Sequence, residues 1–284
     1  MTTFQGILLG LVQGIAEFLP ISSSGHLQLA QYLFKLDDVP LLFDVLLHVA
    51  TLCAVVLYFR RIIARLFCVL CRWVFRRPLP RHTPALAEKH DRRMILTIIL
   101  TTFVTGCIGL VTSKLIPDFS IHAVCIGFLF TAFILIASAV LDKLIELHYA
   151  ISSGVRGDRP FTGVRWWQAL IIGFAQGVGT LPGVSRSGST IAGALFSGVD
   201  RVTAGEYSFI VSIPAILGAF ILELKDLDAV AGSVGAAPVI AGCAAAFASG
   251  YCALTLLMRI IRRGRLEWFA AYLIPLGVLG LVLL

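Results

Sequence analysis

Six long apolar stretches mark the chain, at roughly 41–59, 94–116, 121–141, 205–225, 229–257 and 267–284. A bilayer-spanning helix needs about 20 mostly apolar residues, and only the last stretch falls slightly short. Two further segments, 1–36 and 166–200, are apolar at their ends and polar in their middles. Neither is apolar enough for two full spans. Each fits a pair of half-helices that enters the membrane and returns on the same side, which irregular backbone can do where it is buried in protein or lines a wet cavity. The pattern predicts an all-α polytopic membrane protein in a single domain, 1–284, with six transmembrane helices and two re-entrant helix–loop–helix hairpins, at 4–36 and 166–200.

Composition and charge agree and add an orientation. Of 284 residues, 58% are hydrophobic and 14% charged, against about 25% charged in soluble domains. The first charge is Glu17 and the first cation Lys35, so the start lacks the basic region of a cleaved signal peptide. Residues 60–93 hold ten Arg/Lys against Glu88 and Asp91. The first part, RRIIARLFCVLCRWVFRR, reads as a basic helix lying along the interface. Arg259, Arg262, Arg263 and Arg265 form a second basic cluster, and Glu223, Lys225, Asp226 and Asp228 a net acidic one. The positive-inside rule puts 60–93, 142–165 and 259–266 in the cytoplasm, and the loops near 37–40, 117–120 and 223–228 outside. Both termini then lie outside. The net charge of +7 is thereby spent on cytoplasmic loops and gives no reason to expect nucleic acid as a partner. Cys68 and Cys71 form a lone CxxC with no second pair at zinc-ligand spacing.

The two polar-centred segments repeat each other. LLGLVQGIAEFLPISSSGHL begins at Leu8 and LIIGFAQGVGTLPGVSRSGST at Leu170. At an offset of 163, Gly10, Gln13 and Gly14 match Gly173, Gln176 and Gly177, and Ser22, Ser24 and Gly25 match Ser185, Ser187 and Gly188. Three spans follow each copy. An odd number of crossings inverts the second copy, so repeat one (1–142) and repeat two (163–284) form an inverted-topology repeat, whose broken helices meet near the midplane. Pro20 and Pro182 are expected to end the first half-helices, and the serines to cap the second ones. Two helix N-termini brought together would bind a phosphate or diphosphate.

The repeat is symmetric in backbone and asymmetric in chemistry. Copy one carries Glu17 and His26 where copy two has Thr180 and Ser189; copy two carries Arg186 where copy one has Ser23. A charge at mid-membrane costs roughly 2.5–3.5 kcal/mol on insertion scales, which makes it functional by default. The bland reading is a structural Glu17–Arg186 ion pair, with the Ser/Gly residues serving caps and close packing. Arg186 suits a phosphate grip; Ser185, Ser187 and Thr190 add hydroxyls. Gln13 and Glu17 share a helix face, and oxygen ligands beside a phosphate suit Mg²⁺ or Ca²⁺. Ser23 beside a carboxylate or imidazole is an activated-nucleophile candidate, and His26 a proton donor or rival nucleophile. Asp44 and His48, one turn apart in the first span, and Glu206 are candidates for supporting the site.

These residues resemble a known family. QGIAEFLPISSSGH is similar to the (E/Q)xxxE…SSxGH motif of the bacterial undecaprenyl-diphosphatases, the bacitracin-resistance proteins, and LPGVSRSGST to their PGxSRSxxT motif. FDVLLHVATL and EYSFIVSIPAILGA also resemble family segments, so the likeness runs in order from the N-terminus past residue 219. Gln13 stands where many members carry glutamate, and the 60–93 loop has no close match. The resemblance implies hydrolysis of undecaprenyl diphosphate to undecaprenyl phosphate and phosphate, with a divalent cation (Mg²⁺ or Ca²⁺), in the bacterial plasma (inner) membrane. This would recycle the lipid carrier for peptidoglycan and confer bacitracin resistance. It places Glu17, Ser23, His26 and Arg186 on catalytic positions, Gln13 and Glu17 on the metal, and Ser22, Ser24, Gly25, Ser185, Ser187 and Thr190 around the substrate. The pocket is expected to open to the periplasmic face. Ser23 is the favoured nucleophile, with His26 and an activated water as rivals. Partners are the isoprenoid substrate and membrane lipid, with a homo-oligomer left open.

Two other readings compete. Type 2 phosphatidic-acid phosphatases share SSGH and SR elements, but their SR is followed, after five intervening residues, by a histidine, and here Ala192 stands at that place. A lipid transporter or flippase would share the inverted repeat, since fold alone does not fix function. It would not need Glu17, Ser23 and His26 facing Arg186.

Overall fold

The computed structural model describes residues 1–36, 41–78, 84–115, 120–153, 163–223 and 235–284. The loops expected outside, at 37–40, 117–119 and 224–228, and the start of the fifth expected span, 229–234, lie beyond the described residues. So do 79–83 and 154–162, parts of the two segments expected in the cytoplasm. The described residues are helical throughout: α1 (Thr3–Phe18), α2 (Ser23–Leu33), α3 (Leu41–Tyr58), α4 (Arg60–Val74), α5 (Ala85–Leu115), α6 (Ile121–Ser153), α7 (Trp166–Val178), α8 (Arg186–Phe196), α9 (Arg201–Glu223), α10 (Ala236–Arg262) and α11 (Glu267–Leu283). Within α5, α6, α9 and α10 the segments Ala85–Thr112, Ile121–Ser153, Arg201–Leu222 and Ala236–Arg262 are long and apolar enough to cross a bilayer. This is a multi-pass membrane protein. At about 1.5 Å per residue, α3 and α11 reach roughly 26 Å, near the ~30 Å of a hydrocarbon core.

The break between α3 and α4 is an 83° bend. It falls where the apolar run of α3 meets Arg60 and Arg61. From there the pattern is amphipathic: Leu66 and Val69 are buried, while Arg60, Arg61 and Arg65 are exposed. Residues 60–93 are therefore largely structured rather than one loop. The second span begins at Ala85 instead of 94, because Glu88 is neutralised by Arg72 (3.1 Å) and Arg92 (2.8 Å) and its polar turn can stay helical.

Each hairpin's first half-helix lies along the second span that follows the other hairpin. α1 starts on a capping box, with Thr2 and Gln5 exchanging backbone–side-chain bonds of 2.7 and 3.2 Å, and then packs on α10. α7 packs on α5, where Thr105 donates to the Gly173 carbonyl (3.1 Å) and receives from Gln176 (3.1 Å). The glycines shared by the two copies are the contact points. A Cβ on Gly10 would run into the Gly242 backbone, and one on Gly177 would stand 2.6 Å from Ile108. Gly10→Val is therefore expected to push α1 off α10 and lower the melting temperature in detergent, at an overpacking cost of at least about 1–3 kcal/mol. Gly109→Ala, with nothing within 4 Å, should leave it unchanged.

The hairpin breaks meet in the interior. A Cβ on Gly188 would touch Pro20 at 3.1 Å, and one on Gly25 would approach Gly183 at 3.1 Å. Gly183 has φ +81°, a region that favours glycine, and its neighbour across the contact is the Val124 backbone of α6. One expectation needs correction. α1 ends at Phe18, just before Pro20, but α7 ends at Val178, well before Pro182. Gly179 caps it, held against the α8 start, where a Cβ would lie 2.7 Å from the Arg186 Cα.

Candidate active site

Two polar helix starts form the floor of the site. Ser22 caps α2, its Oγ accepting from the Gly25 N–H (3.3 Å), and Ser185 caps α8, accepting from the Gly188 N–H (3.1 Å). The repeat thus builds the same cap twice. Ser22 sits at φ +70°, a conformation that costs a non-glycine residue about 1–3 kcal/mol and concentrates at functional sites. Thr131 of α6 supports the second cap by accepting from the Ser185 N–H at 2.9 Å.

Glu17, in the last turn of α1, is the hub. Its carboxylate is buried and binds groups from four helices. Gln13 donates to Oε2 at 2.9 Å from one turn back, and Ser23 donates to the same oxygen at 2.7 Å from the start of α2. His48 Nε2 of α3 lies 3.4 Å from Oε2. Arg186, the first residue of α8, ion-pairs with Oε1. The structure thus joins Gln13, Glu17, Ser23, His48 and Arg186, drawn from both copies of the repeat. The buried pair is incomplete. Arg186 Nη1 and Gln13 Oε1 have no hydrogen-bond partner among the described residues. A donor and an acceptor left open on either side of one carboxylate is a costly arrangement unless a ligand satisfies them.

The other candidates are distributed differently. His26 is not bonded into the hub. Its Nδ1 faces the Ser22 carbonyl at 2.8 Å and so donates, which leaves Nε2 as acceptor for the Tyr272 hydroxyl of α11 at 2.9 Å. The ring is stacked on Tyr272 (5.7 Å, 19°) and tilted on Phe128 (5.1 Å). Asp44 and His48 do not pair through their side chains. His48 Nδ1 bonds the Asp44 main-chain carbonyl (2.7 Å), because the side chain one turn on reaches back along the helix. The Asp44 carboxylate instead accepts two bonds from Gln31 of α2 (2.9 and 3.1 Å).

Among the hydroxyls, Ser22 and Ser24 are 3.5 Å apart and Ser185 and Ser187 3.3 Å. Thr190 is turned into its own helix, donating to the Arg186 carbonyl at 2.6 Å. Gly25 is pressed against Phe128. Glu206 lies elsewhere. It lines a cavity of about 450 Å³ under α4 with Arg65, Asp91 and Arg93, since it comes only one turn after the start of α9.

Tyr272 and Phe128 escaped the sequence reading. Both lie inside uniformly apolar stretches, and only a tyrosine hydroxyl in the last span hinted that a partner was needed.

Chemically, the hub offers a serine hydroxyl hydrogen-bonded to a carboxylate, a guanidinium with one nitrogen unpaired, and an amide oxygen without a donor. That set can deprotonate a nucleophile and hold an anion at once.

The chain matches the family model described as Bacitracin resistance protein BacA over residues 6–279. An undecaprenyl-diphosphatase of Treponema denticola is 47% identical over 278 residues, covering 98% of this chain and 96% of that protein. One of Desulfatibacillum aliphaticivorans is 40% identical over 99% of both chains. One of Methanosphaera stadtmanae is 37% identical over 98% of this chain and 97% of its own.

Proposed function

The chain belongs to the bacitracin resistance protein BacA family, and we infer from the site it carries that it hydrolyses undecaprenyl diphosphate to undecaprenyl phosphate and inorganic phosphate. This recycles the isoprenoid carrier for cell-wall synthesis and removes the form that bacitracin sequesters. The observation that carries the reading is the buried, half-open Glu17–Arg186 pair beside Ser23. Its open donor suits a phosphate oxygen, and the surrounding apolar helices suit an isoprenoid tail.

In the proposed mechanism Arg186 holds the terminal phosphate through its free Nη1. Glu17 takes the proton of Ser23, whose Oγ attacks the terminal phosphorus. The bridging P–O bond breaks, undecaprenyl phosphate leaves with the bond's electron pair, and Glu17 gives up the proton it took, to the departing phosphate or to water, so that it is a carboxylate again. A water, deprotonated by Glu17, then attacks the phosphoserine, and Ser23 recovers its proton as inorganic phosphate departs. Phosphoryl transfer asks mainly for positioning and charge neutralisation, which these groups supply. His26, once protonated at Nε2, would be the proton donor to the leaving group, or the neutral ring would attack through Nε2 in place of Ser23. The hydroxyls of Ser22, Ser24, Ser185 and Ser187 line the approach.

A divalent cation fits the donor set. Gln13 Oε1 is an unsatisfied buried oxygen next to Glu17, and Mg²⁺ is commonly held by one or two protein oxygens plus substrate phosphates. Gln13 and Glu17 would hold Mg²⁺ or Ca²⁺, which neutralises charge on the diphosphate. The family's role favours a pocket that opens to the outer face of the bacterial plasma membrane, where spent diphosphate carrier accumulates.

The test is product analysis with purified protein in detergent and a C55 isoprenyl diphosphate. One phosphate is expected per lipid monophosphate formed, abolished by EDTA and restored by Mg²⁺ or Ca²⁺. Lipid binding without release would favour a carrier instead. Tyr272→Phe, which keeps the ring stack and deletes the hydroxyl, is expected to lower kcat by up to about tenfold with KM unchanged, the effect of one hydrogen bond that positions His26.

A further inference from the structure

A second polar site lies at the far end of α10. Phe18, next to Glu17, packs on Gly250, and roughly 18 Å of helix separates Gly250 from Arg262. There a cavity of about 180 Å³ is lined by Leu256, Arg259, Ile260, Arg263, Arg265 and Trp268. Three arginines are among its lining residues, and the lining contains no carboxylate. Arg265 is already oriented, its guanidinium 4.8 Å from the centre of the Trp268 ring. The nearest acid in sequence, Glu267, is drawn away to Lys143 of α6 at 2.7 Å. Among the described residues no carboxylate ion-pairs with Arg259, Arg263 or Arg265.

We propose that this cavity binds the phosphate headgroup of an anionic phospholipid. Arginine forks match phosphate oxygens bidentately, and three arginines around a lining that holds no carboxylate favour an anion. Leu256 and Ile260 form an apolar wall on the α10 side, as an acyl chain requires and a free ion does not. Trp268 supplies the amphipathic ring found at headgroup depth. Basic pockets between transmembrane helices are sites for anionic headgroups. The site is independent of the hydrolytic one: it shares no residue with the Glu17 hub.

The test is native mass spectrometry of the purified protein in detergent with dioleoylphosphatidylglycerol or dioleoylphosphatidylcholine added. Wild type is expected to retain one phosphatidylglycerol that the variant Arg259→Gln/Arg263→Gln loses, its affinity falling at least about tenfold. Arg60→Gln/Arg61→Gln on α4 should keep that lipid, which separates a built site from general positive charge. Phosphatidylcholine should not compete, and millimolar inorganic phosphate should not displace the lipid. Retention by the double variant, equal binding of phosphatidylcholine, or displacement by inorganic phosphate alone would each overturn the proposal. Arg263→Gln alone carries the same test should the double variant not fold, with melting in detergent as the control.

Discussion

Arg186→Ala is expected to lower phosphate release by roughly 10³-fold or more, the scale seen when a phosphoryl-transfer site loses the arginine that balances transition-state charge. The unpaired Nη1 makes this more than a structural loss, because half of the guanidinium fork has no partner among the described residues and is left for substrate. Arg186→Lys should recover only part of the activity, since an ammonium cannot hold Glu17 and a phosphate oxygen in one plane. The protein should still fold. Glu17 keeps its bonds from Gln13 and Ser23 and its contact with His48 after Arg186 is gone. Melting in detergent checks that point, and kinetics should show both a lower kcat and a higher KM.

Glu17→Gln is expected to cost about 10²–10⁴-fold in kcat, the range for losing a general base. The split with KM should differ from that of Arg186→Ala. An amide cannot take the Ser23 proton, yet it frees Arg186 from its counterion, so at saturating divalent cation phosphate should bind as tightly as before or more so. A rise in KM equal to that of Arg186→Ala would mean that Glu17 serves only to place the arginine. Stability should also fall, because breaking a buried ion pair leaves a charge uncompensated and costs about 3–5 kcal/mol.

Much of this site was legible in the chain. The 163-residue offset between the hairpins identified the two caps, and of the residues that break the repeat the fold joins Glu17, Ser23 and Arg186 but leaves His26 outside the hub. Local rules sufficed there: an i,i+4 pair puts Gln13 on Glu17, and a serine before a helix caps it. What stayed hidden depends on tertiary contact. Tyr272 reaches His26 across 246 residues of chain from within an apolar span. The spacing of Asp44 and His48 suggested a side-chain pair. It could not show that Gln31 would claim the carboxylate while His48 turned to Glu17. Glu206 looked like another buried acid of the site, but its place near the start of α9 leaves it under α4. The end of α7 was misjudged because Gly179 yields before Pro182 when α8 must pack closely.

The measurement that bears most directly on this account is phosphate release from a C55 isoprenyl diphosphate by wild type, Glu17→Gln, Arg186→Ala and the double variant, purified together in one detergent. Residues that act as one unit give non-additive losses. Metal-dependent release by wild type, nearly lost in both single variants and no worse in the double, is the predicted result. Undiminished release in either single variant would contradict the assignment of hydrolysis to the pair that joins the two hairpins.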